Sequence, residues 1–134
     1  SRFYLPQNVY IIGMMNNADR SLAMIDYALR RRFCFIEIVP AFNTHSFKKH
    51  LTDSGIHSDL IEKIISRLTY LNNQIATDSN LGRGFRIGHS YFCNPSTDEN
   101  WYQSVIEYEI NPLIEEYWFD NEEKAQEHMD YLLG

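Results

Sequence analysis

Cysteines, metal-ligand clusters and long apolar runs are scarce or missing in this chain of 134 residues. Its two cysteines, Cys34 and Cys93, lie singly in apolar surroundings, which is typical of a reducing cytosol. No Cys-x-x-Cys pair or histidine cluster indicates a zinc site. No apolar run approaches the roughly 18 residues that a membrane-spanning helix needs. We therefore expect a cytoplasmic protein with no bound metal and no membrane partner.

Two motifs of nucleotide-hydrolysing enzymes are also missing. The chain has no Gly-x-x-x-x-Gly-Lys-Ser/Thr, so it lacks the P-loop that cradles phosphates. No apolar strand ends in Asp-Glu, so the Walker B carboxylates that hold magnesium are missing too. We therefore expect that the chain alone neither hydrolyses a nucleotide nor binds one tightly.

The net charge of −6 is unevenly spread along the chain. From Asp98 onward there are eleven acidic residues and one lysine, Lys124, whereas the first 97 residues carry a net charge of +4. An acidic half repels phosphate backbones, which argues against direct DNA binding by that half. It is either a solvated helix face or a docking surface for a basic partner, and both readings stay open.

The first forty residues predict a strand, a helix and a second strand. Short apolar runs uninterrupted by charge are typical of buried strands, and they occur at 8–14 and 33–39. Ser21 is a good N-cap, and apolar residues recur after it at helical spacing up to three arginines. Strand, helix and strand in this order predict two parallel strands with a crossover helix.

After Pro40 the pattern becomes helical throughout, so the fold class predicted is α/β followed by all-α. We place the α/β part at residues 1–41 and a helical domain at 42–134. Thr44 or Asn43 caps a first helix, and Ser58 opens a longer one. A glycine-rich stretch at 78–94 is irregular or a hairpin. Two further helices are predicted after the capping signals Ser96-x-x-Glu99 and Asp120-x-x-Glu123.

Polar side chains follow the first predicted strand, at the edge where α/β sheets bind ligands. The amide of Asn16 both donates and accepts hydrogen bonds, so it is suited to orienting a water molecule against a phosphate. The arginines Arg30, Arg31 and Arg32 are suited to neutralising charge on a transferring phosphoryl group. These residues together suggest the back half of a nucleotide-hydrolysing motor.

Two stretches of the chain closely resemble the McrB family of GTP-dependent AAA+ proteins. The first covers residues 8–33 and includes Met14-Met15-Asn16-Asn17-Ala18-Asp19-Arg20-Ser21. The second is shorter and reads Ile87-Gly88-His89-Ser90-Tyr91-Phe92. At Asn17 the chain departs from the usual family signature, which has Thr there. The two stretches occur in the family's order and bracket most of residues 8–92.

McrB proteins are motor subunits of a modified-cytosine-specific restriction system. The resemblance therefore implies that the chain is the C-terminal part of an AAA+ core, ending in a helical lid, with the P-loop and Walker B strand preceding it. It implies a parent protein that hydrolyses GTP with magnesium in a homo-oligomeric ring, expected to be a hexamer with head-to-tail contacts. The implied partners are a McrC-type endonuclease, and DNA bound through a missing N-terminal domain and the ring.

The resemblance also implies roles for individual residues. Asn16 corresponds to the sensor-1 residue between the γ-phosphate and the attacking water. At least one arginine of the triplet is the finger that reaches the neighbouring subunit, with Arg31 and Arg32 favoured over Arg30. Asp19 orients Asn16 or pairs across the subunit boundary. On the lid, the nucleotide-facing residues are Gly88, His89 and Ser90, with His89 or Arg86 in the sensor-2 position.

Other interpretations of these residues stay open. Asn16 is also an ordinary turn residue, and Asn16-x-x-Asp19 superficially matches the guanine-reading motif of small GTPases, although its Lys is absent. The arginines also suit the C-terminus of a helix, and His89 is equally consistent with a structural histidine. For the whole protein, the alternatives are an ATP-using AAA+ relative outside restriction and a non-catalytic adaptor whose lid is a docking surface.

Overall fold

The computed structural model describes residues 3–16, 18 and 30–134. Within these residues the regular structure is entirely helical and no strand is formed. The α-helices are α1 (His45–Asp53), α2 (Ser58–Thr77), α3 (Trp101–Val105), α4 (Asn111–Tyr117) and α5 (Glu122–Leu133). Two short 3₁₀ turns, Arg83–Phe85 and His89–Phe92, follow α2, and a π-helical segment, Ile106–Ile110, joins α3 to α4.

The first two helices form as their capping residues and apolar spacing predict. Thr44 caps α1, and its hydroxyl accepts a hydrogen bond from the backbone N–H of Phe47 at 3.2 Å. The chain then reverses at Gly55, whose φ of +84° suits glycine far better than other residues. His57, one residue before the predicted start, caps α2 by accepting from the backbone N–H of Asp59.

One hydrophobic core extends through the helical part of the chain, and its members start at Phe42. The largest side chains that are fully buried come from the helices and from the segments before and between them: Phe42, Phe92, Leu51, Ile64, Leu68, Leu71, Ile75, Ile106, Ile110, Ile114 and Leu132. Residues 42–134 therefore have a hydrophobic core of their own, as an independently packed unit does. No described helix combines the length and the apolar character needed to cross a membrane.

The segment from Trp101 to Tyr117 continues through Pro112 by changing its winding. In a regular α-helix the ring of Pro112 would collide with the carbonyl four residues earlier, and its missing N–H would leave that carbonyl unpaired. The wider π turn at Ile106–Ile110 directly precedes this position, and Pro112 lies in the first turn of α4. The helical segment therefore continues through Pro112, with a π-helical stretch before the proline, instead of ending there.

The two predicted strands are not formed in the described residues. The segments 8–14 and 33–39 are irregular, and their apolar side chains lie in solvent, with Ile12 93% exposed, Met14 98% and Ile38 88%. A β-strand exists only when a neighbouring strand pairs with its backbone groups, and these segments have no such neighbour among the described residues. The crossover helix predicted from Ser21 falls largely on 19–29, outside the described residues. The division at residues 41 and 42 stays a prediction.

A charged cluster fixes the C-terminal end of α2 against α5. The carboxylate of Asp78 accepts hydrogen bonds from Nζ of Lys124 at 2.7 Å and from Nε1 of Trp118 at 2.9 Å. These bonds, with a further one from the backbone N–H of Asn80, hold the pKa of Asp78 well below its usual range. Lys124 also lies over the ring of Trp118, with Nζ 5.0 Å from its centroid.

His128 is buried beside this cluster, with its ring centroid 4.5 Å from that of Trp118. Burial, followed by the nearby Lys124 charge, lowers the pKa of His128 below its ordinary value. Glu127 and Asp78 oppose that shift only in part. Burial beside Trp118 therefore favours the neutral form of the imidazole over the charged form.

Candidate functional site

The loop that carries Arg86, Gly88, His89 and Ser90 is anchored to α2 by one buried side chain. Asn72 donates from Nδ2 to the carbonyl of Ile87 at 2.8 Å, and its Oδ1 accepts from the N–H of Ile87 at 2.6 Å. Both backbone groups of Ile87 are thereby satisfied away from water. Ile87 itself is buried in the core, so the motif that follows it starts from a fixed point.

His89 is held on the side that faces α1. Its Nδ1 accepts a hydrogen bond from the backbone N–H of Ala41 at 3.1 Å. Its ring meets Phe42 and Phe47 edge-on, with centroid separations of 6.3 Å and 5.8 Å. The second ring nitrogen, Nε2, therefore carries the proton in the neutral tautomer that this arrangement requires.

Arg86 pairs with a carboxylate on the segment that precedes the helices. Its Nη2 lies 3.3 Å from Oε1 of Glu37, and its Nε donates to the carbonyl of Arg83 at 3.0 Å. Only 24% of the Arg86 side chain is exposed, whereas 61% of that of Glu37 is. The guanidinium is thus held across the joint between residues 34–41 and the loop.

Gly88 and Ser90 differ in how the fold uses them. Gly88 has an ordinary extended backbone, with φ −75° and ψ 158°, and an added Cβ would meet only Ser90, 3.6 Å from Oγ. The fold itself therefore does not require glycine there. Ser90 is exposed and lines an open cavity of about 380 Å³, whose lining also includes Tyr91, Trp101, Tyr108 and Glu109.

The candidate residues of the N-terminal segment lie on exposed chain. Oδ1 of Asn16 accepts from the backbone N–H of Ala18 at 3.0 Å, which is the geometry of an Asx turn. Arg30 is helical, Arg31 and Arg32 form a turn, and all three are exposed. Asp19 lies outside the described residues. That Asn16 and the arginines contact a nucleotide stays a prediction.

The structure brings four of the predicted residues onto one short loop, Arg86, Gly88, His89 and Ser90. The residues that fix this loop, Asn72, Ala41 and Glu37, were not identified from the sequence. One signal was available for Asn72, because it falls on the apolar face of α2 next to Leu71. A buried amide at such a position needs a partner. Within 3–16, 18 and 30–134, no three His, Cys, Asp or Glu side chains converge to hold a metal ion.

Comparison with known proteins finds similarity in the helical region and along the whole chain. Residues 63–126 match the family described as the alpha-helical lid domain of McrB. The chain is also 48% identical, over 139 aligned positions, to the Type IV methyl-directed restriction enzyme EcoKMcrB subunit of Escherichia coli (strain K12). That match covers 99% of the chain and 30% of the relative, so the chain spans about a third of that protein's length.

Proposed function

Since the chain is McrB-like and carries the McrB lid domain, we propose that it is the C-terminal part of an AAA+ NTPase that drives a modification-dependent DNA restriction endonuclease. The observation that carries this proposal is the extent of the match. The 48% identity covers 99% of the chain, so it includes both the Asn16 and arginine segment and the helical lid. In this proposal GTP is the nucleotide, as the resemblance implies.

The chain contributes half of a catalytic site. Asn16 orients the attacking water against the γ-phosphate, since its amide offers a donor and an acceptor at one position. An arginine of the triplet 30–32 reaches the nucleotide of the neighbouring subunit and neutralises charge that develops during transfer. Asp19 supports Asn16 or pairs across the same boundary. The lid closes on the nucleotide with the loop that carries Arg86, Gly88 and Ser90, and His89 belongs to the same loop.

The remaining half of the site belongs to the parent protein. Magnesium would neutralise charge on the β- and γ-phosphates, and the described residues offer no cluster of carboxylates to hold it. The P-loop and the Walker B carboxylates would come from sequence outside these residues. The chain alone is therefore proposed to be inactive, and GTP is not expected to bind it tightly.

An arginine that acts in trans requires a head-to-tail arrangement of subunits, which closes into a ring when the rotation permits. We propose a homo-oligomeric ring, expected to be a hexamer, that works with a McrC-type endonuclease. DNA would be bound by a further N-terminal domain and by the ring. The acidic residues from Asp98 onward would then face solvent or a basic partner rather than DNA.

Nucleotide turnover by the full-length protein tests this proposal. We expect hydrolysis of GTP that excess ATP does not suppress, together with a P-loop in the sequence before these residues. Suppression by ATP would favour an ATP-using relative outside restriction. A full-length protein with no P-loop and no turnover would instead identify the chain as an adaptor.

A further inference from the structure

Residues 37–41 form the joint between the helical lid and the segment that carries Arg30, Arg31 and Arg32. Ala41 follows Pro40 at this joint, and both of its backbone polar groups are bonded. Its N–H donates to Nδ1 of His89 at 3.1 Å. Its carbonyl accepts from the N–H of Thr44 at 3.1 Å and from the hydroxyl of Thr44 at 2.8 Å. The backbone of one residue thus ties the loop at His89 to the cap of α1.

A second contact crosses the same joint. Arg86, three residues before His89, pairs with Glu37 at 3.3 Å, four residues before Ala41. Two residues of the lid loop therefore hold two points of the chain between the arginines and α1. Any displacement of the loop that keeps these bonds must also move residues 37–41. That movement changes the direction in which the segment carrying Arg30, Arg31 and Arg32 extends from the lid.

We propose that His89 is a positioning residue that couples lid closure to the placement of the arginines, through its Nδ1 acceptor rather than through contact with the nucleotide. This inference rests on the proposed function. The hydrogen bond of Nδ1 and the edge contacts with Phe42 and Phe47 fix the ring in place. Loss of the acceptor leaves the half-buried N–H of Ala41 without its partner, which loosens the joint without removing a ligand of GTP.

Two substitutions separate the acceptor from the rest of the ring. In His89→Asn, the amide Oδ1 stands near the place of Nδ1 and accepts from Ala41. In His89→Gln, the amide reaches the place of Nε2 and the acceptor near Ala41 is lost. A coupling role predicts that Asn preserves function and Gln does not, whereas direct contact of Nε2 with nucleotide predicts the reverse.

The experiment uses the full-length protein and measures kcat and the Kd for GTP separately. We expect His89→Gln to lower kcat about tenfold or more, because small misplacements of catalytic groups have effects of that order. The Kd should stay within about twofold, and His89→Asn should retain most of kcat. His57→Gln is the matched control, since His57 also accepts a backbone N–H through Nδ1 but is 78% exposed and makes that bond within its own helix. A Gln variant that works while Asn fails, or a loss confined to Kd, overturns the coupling role.

A measurement on the unsubstituted protein tests the hydrogen bond between His89 and Ala41 even if GTP is not the substrate. Nitrogen NMR should find the proton of His89 on Nε2, and the Ala41 amide should exchange slowly with deuterium. The slow exchange of the Ala41 amide should persist in His89→Asn and should be lost in His89→Gln. A proton on Nδ1, or a rapidly exchanging Ala41 amide, would show that this hydrogen bond is not formed. An intact hydrogen bond with no GTP turnover would count against the proposed function only.

Discussion

Asn72 illustrates how a single amide determines where the candidate loop lies. The apolar spacing of α2 assigns this position to the core, and Asn72 is indeed buried among apolar neighbours. Its partner Ile87 is 15 residues away, so a pattern that repeats every three or four residues contains no information about the pair. His89 could be identified from a motif, but its bond to Ala41 depends on the same long-range packing.

Replacement of Asn72 by alanine should destabilise the chain much more than the same change next to it. Asn72→Ala leaves the N–H and the carbonyl of Ile87 buried without partners, which we expect to lower the free energy of unfolding by about 2 kcal/mol or more. Asn73→Ala is the matched control, because Asn73 is exposed on the same helix. Urea denaturation of the two variants measures the difference. Equal stabilities would show that the amide of Asn72 does not hold the loop.

Acid should weaken the fold through His128. Because its pKa is lowered in the folded chain, the unfolded chain takes up a proton more readily once the pH falls below the ordinary value of 6.5. The free energy of unfolding should therefore be nearly constant above that pH and decrease below it. Asp78 does not make the free energy of unfolding depend on pH in this range. Its ordinary pKa is 3.8 and folding lowers it further, so the carboxylate is ionised in both the folded and the unfolded chain. Urea denaturation between pH 7.5 and 5.5 should find a shallower slope in His128→Gln than in His57→Gln, and equal slopes would contradict this account.

Asn16→Ala should separate turnover from binding in the full-length protein. In the proposed role the amide acts when water attacks and does not anchor the phosphates, so kcat should fall far more than the affinity for GTP. Asn8→Ala, on the same exposed segment, should change neither quantity. Equilibrium binding and steady-state hydrolysis measure the two effects. A collapse of binding with normal turnover per bound nucleotide would make Asn16 a binding residue and support the guanine-reading alternative.

At the scale of elements, the sequence predicts helices well where local signals suffice. The bounds of α1 and α2 follow from Thr44, Gly55 and a continuous apolar face. Local capping signals mislead where two candidates are adjacent. Ser96 accepts from the N–H of Asp98 in a turn instead of capping a helix, and α5 is capped by Asn121, one residue after the predicted Asp120. The π turn before Pro112 was not predicted, since proline indicates only that regular winding must change.

Strands depend on partners, so their prediction fails differently. Apolar runs at 8–14 and 33–39 indicate burial but do not supply the neighbours that make a sheet. We expect both segments to become strands in the full-length protein, between the other strands of the AAA+ core. Hydrogen exchange should find their amides protected in the full-length protein and unprotected in the 134-residue chain. Lack of protection in both would mean that the α/β part of the predicted fold class is wrong.

At the scale of the whole molecule, the chain combines a well-packed helical unit with a segment whose apolar residues are exposed. Side chains such as Tyr10, Ile12 and Met14 are at least 91% exposed in the described structure. Exposed apolar surface of this extent marks an interface. We propose that these side chains contact the rest of the AAA+ domain. That contact would also place Asn16 and the arginines at the boundary with the next subunit.

The proposed mechanism requires an arginine of this chain to act on the nucleotide of a neighbouring subunit, and mixed rings of the full-length protein are the decisive test. Arg31→Ala or Arg32→Ala should reduce GTP turnover by roughly 10³-fold or more at whichever position is the finger. That variant, mixed with a P-loop variant that is also inactive, should recover part of the activity, because an interface between the two retains one intact site. Normal turnover in both arginine variants, or assembled mixed rings that remain inactive, would exclude an arginine that acts in trans.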